Sequence, residues 1–253
     1  MNGEPPGGRD STSLTAVLTR ADRAALADFV RENVARLGES EVLRCLRHPY
    51  AGDAVVAAVL DAPGLLSSRE VRKAVVLHPA TPRAEALRLL EDLPWRDLAD
   101  VGREARAPAP VRYAANRRVL EKLPRLSLGE KVALARLADR PLVGALLDDG
   151  DVDVLSGLLS NPRLVEEDLT AWLLVRRPKE AQLAALAGSE RWMARNAVRE
   201  ALLLSPRTPR PLALSLLTAS VRSVWERLAS DPSADPLLAA CARTLLAERD
   251  GAG

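Results

Sequence analysis

Aromatic side chains make up only 3% of this 253-residue sequence, and Phe29 is its single phenylalanine. A core must therefore come from Leu, Val and Ala on closely spaced helices, and a β-sandwich, which draws on aromatic and β-branched strands, is disfavoured. Cysteine is scarce too. Cys45 and Cys241 lie near opposite ends, too few and too far apart for a disulfide framework or a zinc knuckle, and they read as small buried hydrophobes in a reducing compartment. No stretch approaches the roughly 18 apolar residues of a membrane span. The opening Met1–Arg9 is polar, with Pro5-Pro6-Gly7-Gly8 and no apolar leader core, so a cytoplasmic protein with no membrane partner is expected.

Charge of one sign is also lacking. Lys and Arg total 36 against 34 Asp and Glu, a formal net charge of +2, well short of the positive excess of a dedicated nucleic-acid binder. Lysine occurs only at Lys73, Lys122, Lys131 and Lys179, which leaves 32 arginines; a GC-rich coding sequence accounts for that bias. Phosphate-cradling glycine loops, a G-x-S-x-G elbow and a Ser-His-Asp or Cys-His arrangement are all missing from the sequence, so no catalytic residue, cofactor site or metal site is assigned and a non-enzymatic chain is expected.

What the sequence has in quantity is helix punctuation. Residues 1–13 are Gly, Pro, Ser and charge, a composition expected to form a disordered tail. Thr19 with Asp22 resembles a capping box, and Gly38 is expected to close that helix in the left-handed conformation. Ser67 with Glu70 and Ser127 with Glu130 fit the S-x-x-E box. Thr81-Pro82, Thr208-Pro209 and Asp235-Pro236 each place a capping side chain before a Pro at the first helical position. His48-Pro49, His78-Pro79, Asn161-Pro162, Ser205-Pro206 and Asp231-Pro232 act as stops. The apolar stretches between these signals suit helices of two to four turns.

The stops belong to a repeat. Val71-Arg-Lys-Ala-Val-Val-Leu-His-Pro-Ala-Thr-Pro-Arg-Ala-Glu-Ala-Leu-Arg-Leu-Leu90 aligns with Val198-Arg-Glu-Ala-Leu-Leu-Leu-Ser-Pro-Arg-Thr-Pro-Arg-Pro-Leu-Ala-Leu-Ser-Leu-Leu217 at a shift of 127. Pro110–Leu120 follows over Pro236–Leu246 at a shift of 126. Looser copies run from Leu43 to Leu60 and from Val154 to Leu173. Each unit is helix, Pro turn, helix, a pair that buries its apolar stripe by stacking on neighbours. One helical domain over 14–248 is expected, with an internal duplication at about 71–120 and 198–246 and a flexible end at 249–253.

The pattern V-R-x-A-x-x-x-x-P-x-T-P-x-x-x-A-L-x-L-L resembles bacterial HEAT-like proteins and the variant leucine-rich repeat, over roughly residues 40–248. That resemblance implies an all-α fold, an α-α superhelix (HEAT-like solenoid) of short paired helices in two similar halves, with a general binding role and no cofactor. The founding variant-repeat protein is similar to an iron–sulfur protein with an added Cys cluster, and this chain has no such cluster.

Candidate recognition residues pair an amphipathic ring with guanidinium groups: Trp95-Arg96, Arg112-Tyr113 with Arg117-Arg118, Arg191-Trp192 with Arg195, and Arg222 with Trp225. Trp, Tyr and Arg dominate binding hot spots. The competing structural reading is that each Trp plugs a gap between helix pairs while Arg covers it with its stem and pairs with a neighbouring acid. On a helical wheel Arg118 falls in the apolar arc with Val111, Ala114 and Ala115, where a charge must pair or face a groove. His48 and His78 occupy matched positions, but the same slot holds Asn161 and Ser205, which marks a helix-end position and not a metal site. Glu166-Glu167-Asp168 fit the first turn of a helix, complementing its dipole. The expected function is a scaffold for another protein, as monomer or dimer. The alternative is a nucleic-acid binder resembling the HEAT-like DNA glycosylases, which requires its arginines on one face, free of acids.

Overall fold

The computed structural model describes residues 22–176, 178–232 and 234–251. Among them the chain is all-α, with 17 α-helices, three 3-10 turns and no strand. It divides into two compact units at Lys122/Leu123, between the two duplicated segments, and each unit is described by itself.

The first unit holds α1 (Arg23–Asn33), α2 (Glu39–Leu46), α3 (Asp53–Leu60), α4 (Arg69–Leu77), α5 (Arg83–Leu89), α6 (Trp95–Arg103) and α7 (Ala109–Lys122). Here α2 packs on α3 and α4, α4 on α5 and α6, and α5 on α7, while α6 and α7 meet along their length. The second unit holds α8 (Leu128–Leu137), α9 (Arg140–Leu147), α10 (Val152–Leu159), α11 (Glu166–Val175), α12 (Glu180–Ala187), α13 (Glu190–Met193), α14 (Asn196–Leu204), α15 (Arg210–Thr218), α16 (Arg222–Ser230) and α17 (Pro236–Gly251). There α8 packs closely on α10, α10 on α12 and α16 on α17, whereas α9 and α11 touch more sparingly. Helices this short are unstable alone. Their stability comes from aliphatic stripes such as Val71, Val75 and Val76 of α4 or Leu155 and Leu158 of α10, all buried, which contribute about 1.5–3 kcal/mol per fully buried side chain.

The Pro stops fall where the sequence puts them: α2, α4, α10, α14 and α16 each end one or two residues before their X-Pro pair. The Ser127 box forms in both directions, Glu130 N–H to Ser127 Oγ at 3.4 Å and Ser127 N–H to Glu130 Oε2 at 2.9 Å. Asp235 caps α17 through the Leu237 N–H at 2.9 Å. Asp22 caps α1 through the Ala25 N–H at 2.9 Å, while its sequence partner Thr19 lies outside the described residues, as does the expected tail at 1–13.

Four expected caps are corrected. Gly38 is not left-handed: with φ −77° it is the extended N-cap of α2, its N–H bound to Glu41 Oε2 at 2.8 Å. Among the described residues only Gly150 has positive φ, at 81°. Ser68, not Ser67, caps α4, accepting from the Val71 N–H at 3.3 Å, while the Ser67 hydroxyl donates back to Gly64 O. The hydroxyls of Thr81 and Thr208 turn away from the helices that follow them and donate to Val75 O and Leu202 O, closing the helices before them. Pro82 and Pro209 are then the extended N-cap residues. A Thr at this point in the turn can reach both the N–H groups that open the following helix and the carbonyls that close the preceding one, and here its hydroxyl acts as a donor to the carbonyls.

The turn slot shared by His48, His78 and Asn161 has one chemistry. Each side chain accepts the N–H two residues on: Tyr50 to His48 Nδ1 and Ala80 to His78 Nδ1, both at 3.2 Å, and Arg163 to Asn161 Oδ1 at 2.8 Å. Burial pushes the His78 pKa down. Cys45 is fully buried, its thiol raised by desolvation to about 11, and Cys241 packs partly buried against the core of the second unit.

Candidate interaction surface

The tryptophans are core residues. Trp95, Trp192 and Trp225 are all buried, with Trp192 Nε1–H donating to Leu159 O and Trp225 Nε1–H to Leu217 O, each at 2.9 Å. A guanidinium lies over each ring: Arg96 at 5.2 Å from the Trp95 centroid, Arg191 at 4.6 Å from Trp192, and Arg249 at 5.7 Å from Trp225. Arg222 does not cover Trp225 as the sequence suggested; it pairs instead with Glu226 and Asp250. The rings thus fill gaps between helices and place arginine heads at the surface.

In the first unit the candidates Arg112, Tyr113, Arg117 and Arg118 lie on α7, while Trp95 and Arg96 open α6. Tyr113 is 72% exposed. Arg117 pairs with Glu121 at 3.1 Å, and Arg118 reaches Glu91 at 2.6 Å and Glu121 at 3.4 Å. The wheel placed Arg118 in the apolar arc; its side chain is in fact 41% exposed, and it meets Glu91 in the 3-10 turn at Leu90–Asp92. The second unit holds Arg191, Trp192, Arg195 and Trp225. Arg191 is spent on main-chain carbonyls, Leu159 O at 3.2 Å and Asn161 O at 3.3 Å, and Arg195 is exposed at the N-cap of α14.

Two features escaped the sequence reading. The first is an ion cluster: Asp97 on α6 is fully buried and accepts from Arg69 and from Lys73, the latter at 3.2 Å, while Lys73 also bonds Asp100. Burial alone would raise the Asp97 pKa; the bonds from Arg69 and Lys73 outweigh it and hold the carboxyl below the ordinary carboxylate range. Lys73 borders a groove of about 770 Å³ that also meets His48, Glu70, His78 and Glu104. The Lys73 charge is already balanced within the cluster, and the other cations that line the groove are Arg47 and Arg106.

The second is a groove of about 350 Å³ between α9 and α11, at the small end of the range for ligand pockets. Val143, Leu147, Trp172 and Val175 line it, with Asp148, Glu167, Asp168 and Arg176 at its rim. The neighbouring α8 and α10 approach closely because Gly157 lets backbones meet, a Cβ there lying 3.0 Å from Val132 O. In the last turn of α11, Leu174 and Val175 are 57% and 76% exposed. The sequence did carry a signal: Trp172-Leu173-Leu174-Val175 is an unbroken apolar run, wider than one buried stripe of a helix, so part of it had to face solvent.

As expected, Glu166, Glu167 and Asp168 occupy the first turn of α11, and Asp168 Oδ2 accepts the Val165 N–H at 3.2 Å. Among the described residues no three His, Cys, Asp or Glu side chains converge as metal ligands, and no helix is long and apolar enough to cross a membrane. Comparison with family models, curated proteins and solved structures gives no match for this chain.

Proposed function

We propose that this chain is a non-enzymatic, HEAT-like helical-repeat scaffold that mediates protein–protein interaction, its paired helices forming an α-α superhelix in two similar halves. The observation that carries the reading is the recurrence of one turn with the same bonds in both units. Thr81 binds Val75 O as Thr208 binds Leu202 O, and Pro82 (φ −55°, ψ 133°) has the backbone of Pro209 (φ −54°, ψ 134°). A fold made by repeating one helix–turn–helix unit builds extended surface, and surface is what such repeats use for recognition. The arginines favour a protein over a nucleic acid as partner. Arg117 and Arg118 are interleaved with Glu91 and Glu121, and Arg191 is engaged on carbonyls, so these guanidinium groups form no acid-free phosphate track.

The test is a tagged pull-down from lysate of the source organism, with and without nuclease at moderate salt, read by mass spectrometry. A stoichiometric protein that survives nuclease is the expected result. Nucleic acid as the only co-purifying material, lost on nuclease or added salt, overturns the reading in favour of a nucleic-acid groove, and isolation as a partner-free monomer counts against it.

A further inference from the structure

We infer that the groove between α9 and α11 receives an extended peptide segment of a partner protein, carrying aliphatic side chains flanked by lysine or arginine. This inference rests on the scaffold reading and names the partner's chemistry.

Three observations converge on that occupant. The first is an unmet donor. Trp192 and Trp225 each give their indole N–H to a main-chain carbonyl, whereas Trp172, 4% exposed and lining the groove, has no hydrogen-bond acceptor among the described residues. Its N–H is not among the buried polar atoms without a partner, so it is open to solvent at the groove and free to donate to an incoming acceptor, and the group that takes this bond from its counterparts in this fold is a carbonyl oxygen. An extended segment supplies carbonyls freely, while a helix uses all but its last four.

The second observation is apolar. Val143, Leu147 and Val175 give the groove an aliphatic wall, and exposed Leu174 adds apolar surface beside it in the last turn of α11. Aliphatic side chains of an incoming strand remove this surface from water.

Charge is the third. Asp148, Glu167 and Asp168 stand on the rim. Arg176 pairs with Asp148 at 3.3 Å and Arg140 with Asp168 at 3.4 Å, but both arginine side chains are more than half exposed, so these pairs are weak and exchangeable. The Glu167 carboxylate, exposed beside them, has no cation within salt-bridge distance among the described residues. A basic residue on either side of the aliphatic core finds a carboxylate to meet.

The experiment is a selection of short random peptides displayed on phage against the immobilised full chain. The enriched sequences are then synthesised and titrated against wild type, Val175→Asp, Glu167→Lys and Trp172→Phe by fluorescence anisotropy, with indole N–H resonances followed by NMR. The first two substitutions are at exposed positions and leave the fold intact. Enriched peptides should carry paired aliphatic residues with Lys or Arg flanks, bind at least about tenfold more weakly to Val175→Asp and to Glu167→Lys, and shift the one indole resonance that is missing from Trp172→Phe. Peptides that bind Val175→Asp and Glu167→Lys as they bind wild type overturn the groove assignment while leaving the scaffold reading standing. Acid-flanked winners, no enrichment at all, or a self-association abolished by Val175→Asp would each overturn the proposed occupant; the pull-down decides the scaffold reading separately.

Discussion

Thr81 and Thr208, 127 positions apart in the chain, hold the same bond: each hydroxyl donates to the carbonyl six residues before it, Val75 O and Leu202 O. In both turns that carbonyl also accepts a main-chain N–H, from His78 at 3.1 Å and from Ser205 at 3.3 Å. The helix end is thus sealed by one side chain and one backbone donor, and the chain leaves it at a fixed angle for the next helix.

Replacing either threonine by valine keeps the shape and removes the hydroxyl. Because the backbone N–H still satisfies the carbonyl, Thr81→Val and Thr208→Val should each cost only about 1 kcal/mol. Urea denaturation of the two single variants checks this, and similar losses from both are expected of equivalent turns.

Which parts of this were legible in the sequence follows from how local each cause is. The Ser127–Glu130 box, the Asp235 cap and the X-Pro stops depend on residues within one turn, and they form as read. Thr81 was assigned to the wrong helix because Thr-Pro looks the same whichever end its hydroxyl serves. Trp192 finds its acceptor 33 residues away in the chain and Trp172 finds none, a difference no local pattern encodes. Asp97 is unremarked in sequence for the same reason: its cations come from α4, 24 and 28 positions earlier.

That cluster carries the largest electrostatic consequence. Asp97→Ala removes the carboxylate that Arg69 and Lys73 share and leaves Lys73, largely buried, with Asp100 alone. Because Arg69 is half exposed and Lys73 keeps Asp100, the loss should be measurable but smaller than the about 3–5 kcal/mol of leaving a buried charge with no partner. The triple variant Asp97→Leu, Arg69→Met, Lys73→Met, which removes the charges together, should recover most of that loss. Chemical denaturation of the single and triple variants separates the two outcomes; a single variant as stable as wild type would show that the cluster contributes nothing to folding.

Acid should weaken the fold in two steps. His78 is a base whose folded pKa lies below its ordinary 6.5, so the unfolded chain binds the proton more readily, and its contribution to stability is full above pH 6.5 and lost as pH falls through the folded value. Asp97, held below its ordinary 3.8, contributes stability that is present above pH 3.8 and lost as pH falls further. His78→Asn isolates the first step. Asn161 fills the same turn slot and accepts the same N–H, so this substitution should keep the turn and flatten the stability profile just below pH 6.5, leaving the lower step in place. Denaturation midpoints across that range check the result; an unchanged slope would assign the loss to another group.

The contact between α6 and α7 turns on Gly102. A Cβ at this position would run into the side chain of Asn116, closer than real atoms approach, and Asn116 is buried with an Oδ1 that has no hydrogen-bond partner among the described residues. The amide cannot swing out to solvent, so Gly102→Ala has to push the two helices apart, and overpacking of this kind costs about 1–3 kcal/mol. A glycine-to-alanine change inside a helix would otherwise stabilise it, by at most roughly 0.5–1 kcal/mol in this last turn of α6, so the expected sign is itself a test of the packing. Asn116→Ala frees the space, and in that background Gly102→Ala should be neutral or stabilising. A double-mutant cycle measured by urea denaturation should therefore give a coupling energy of about 1–3 kcal/mol between the two positions, whereas additive effects would mean that α6 and α7 do not meet at this pair.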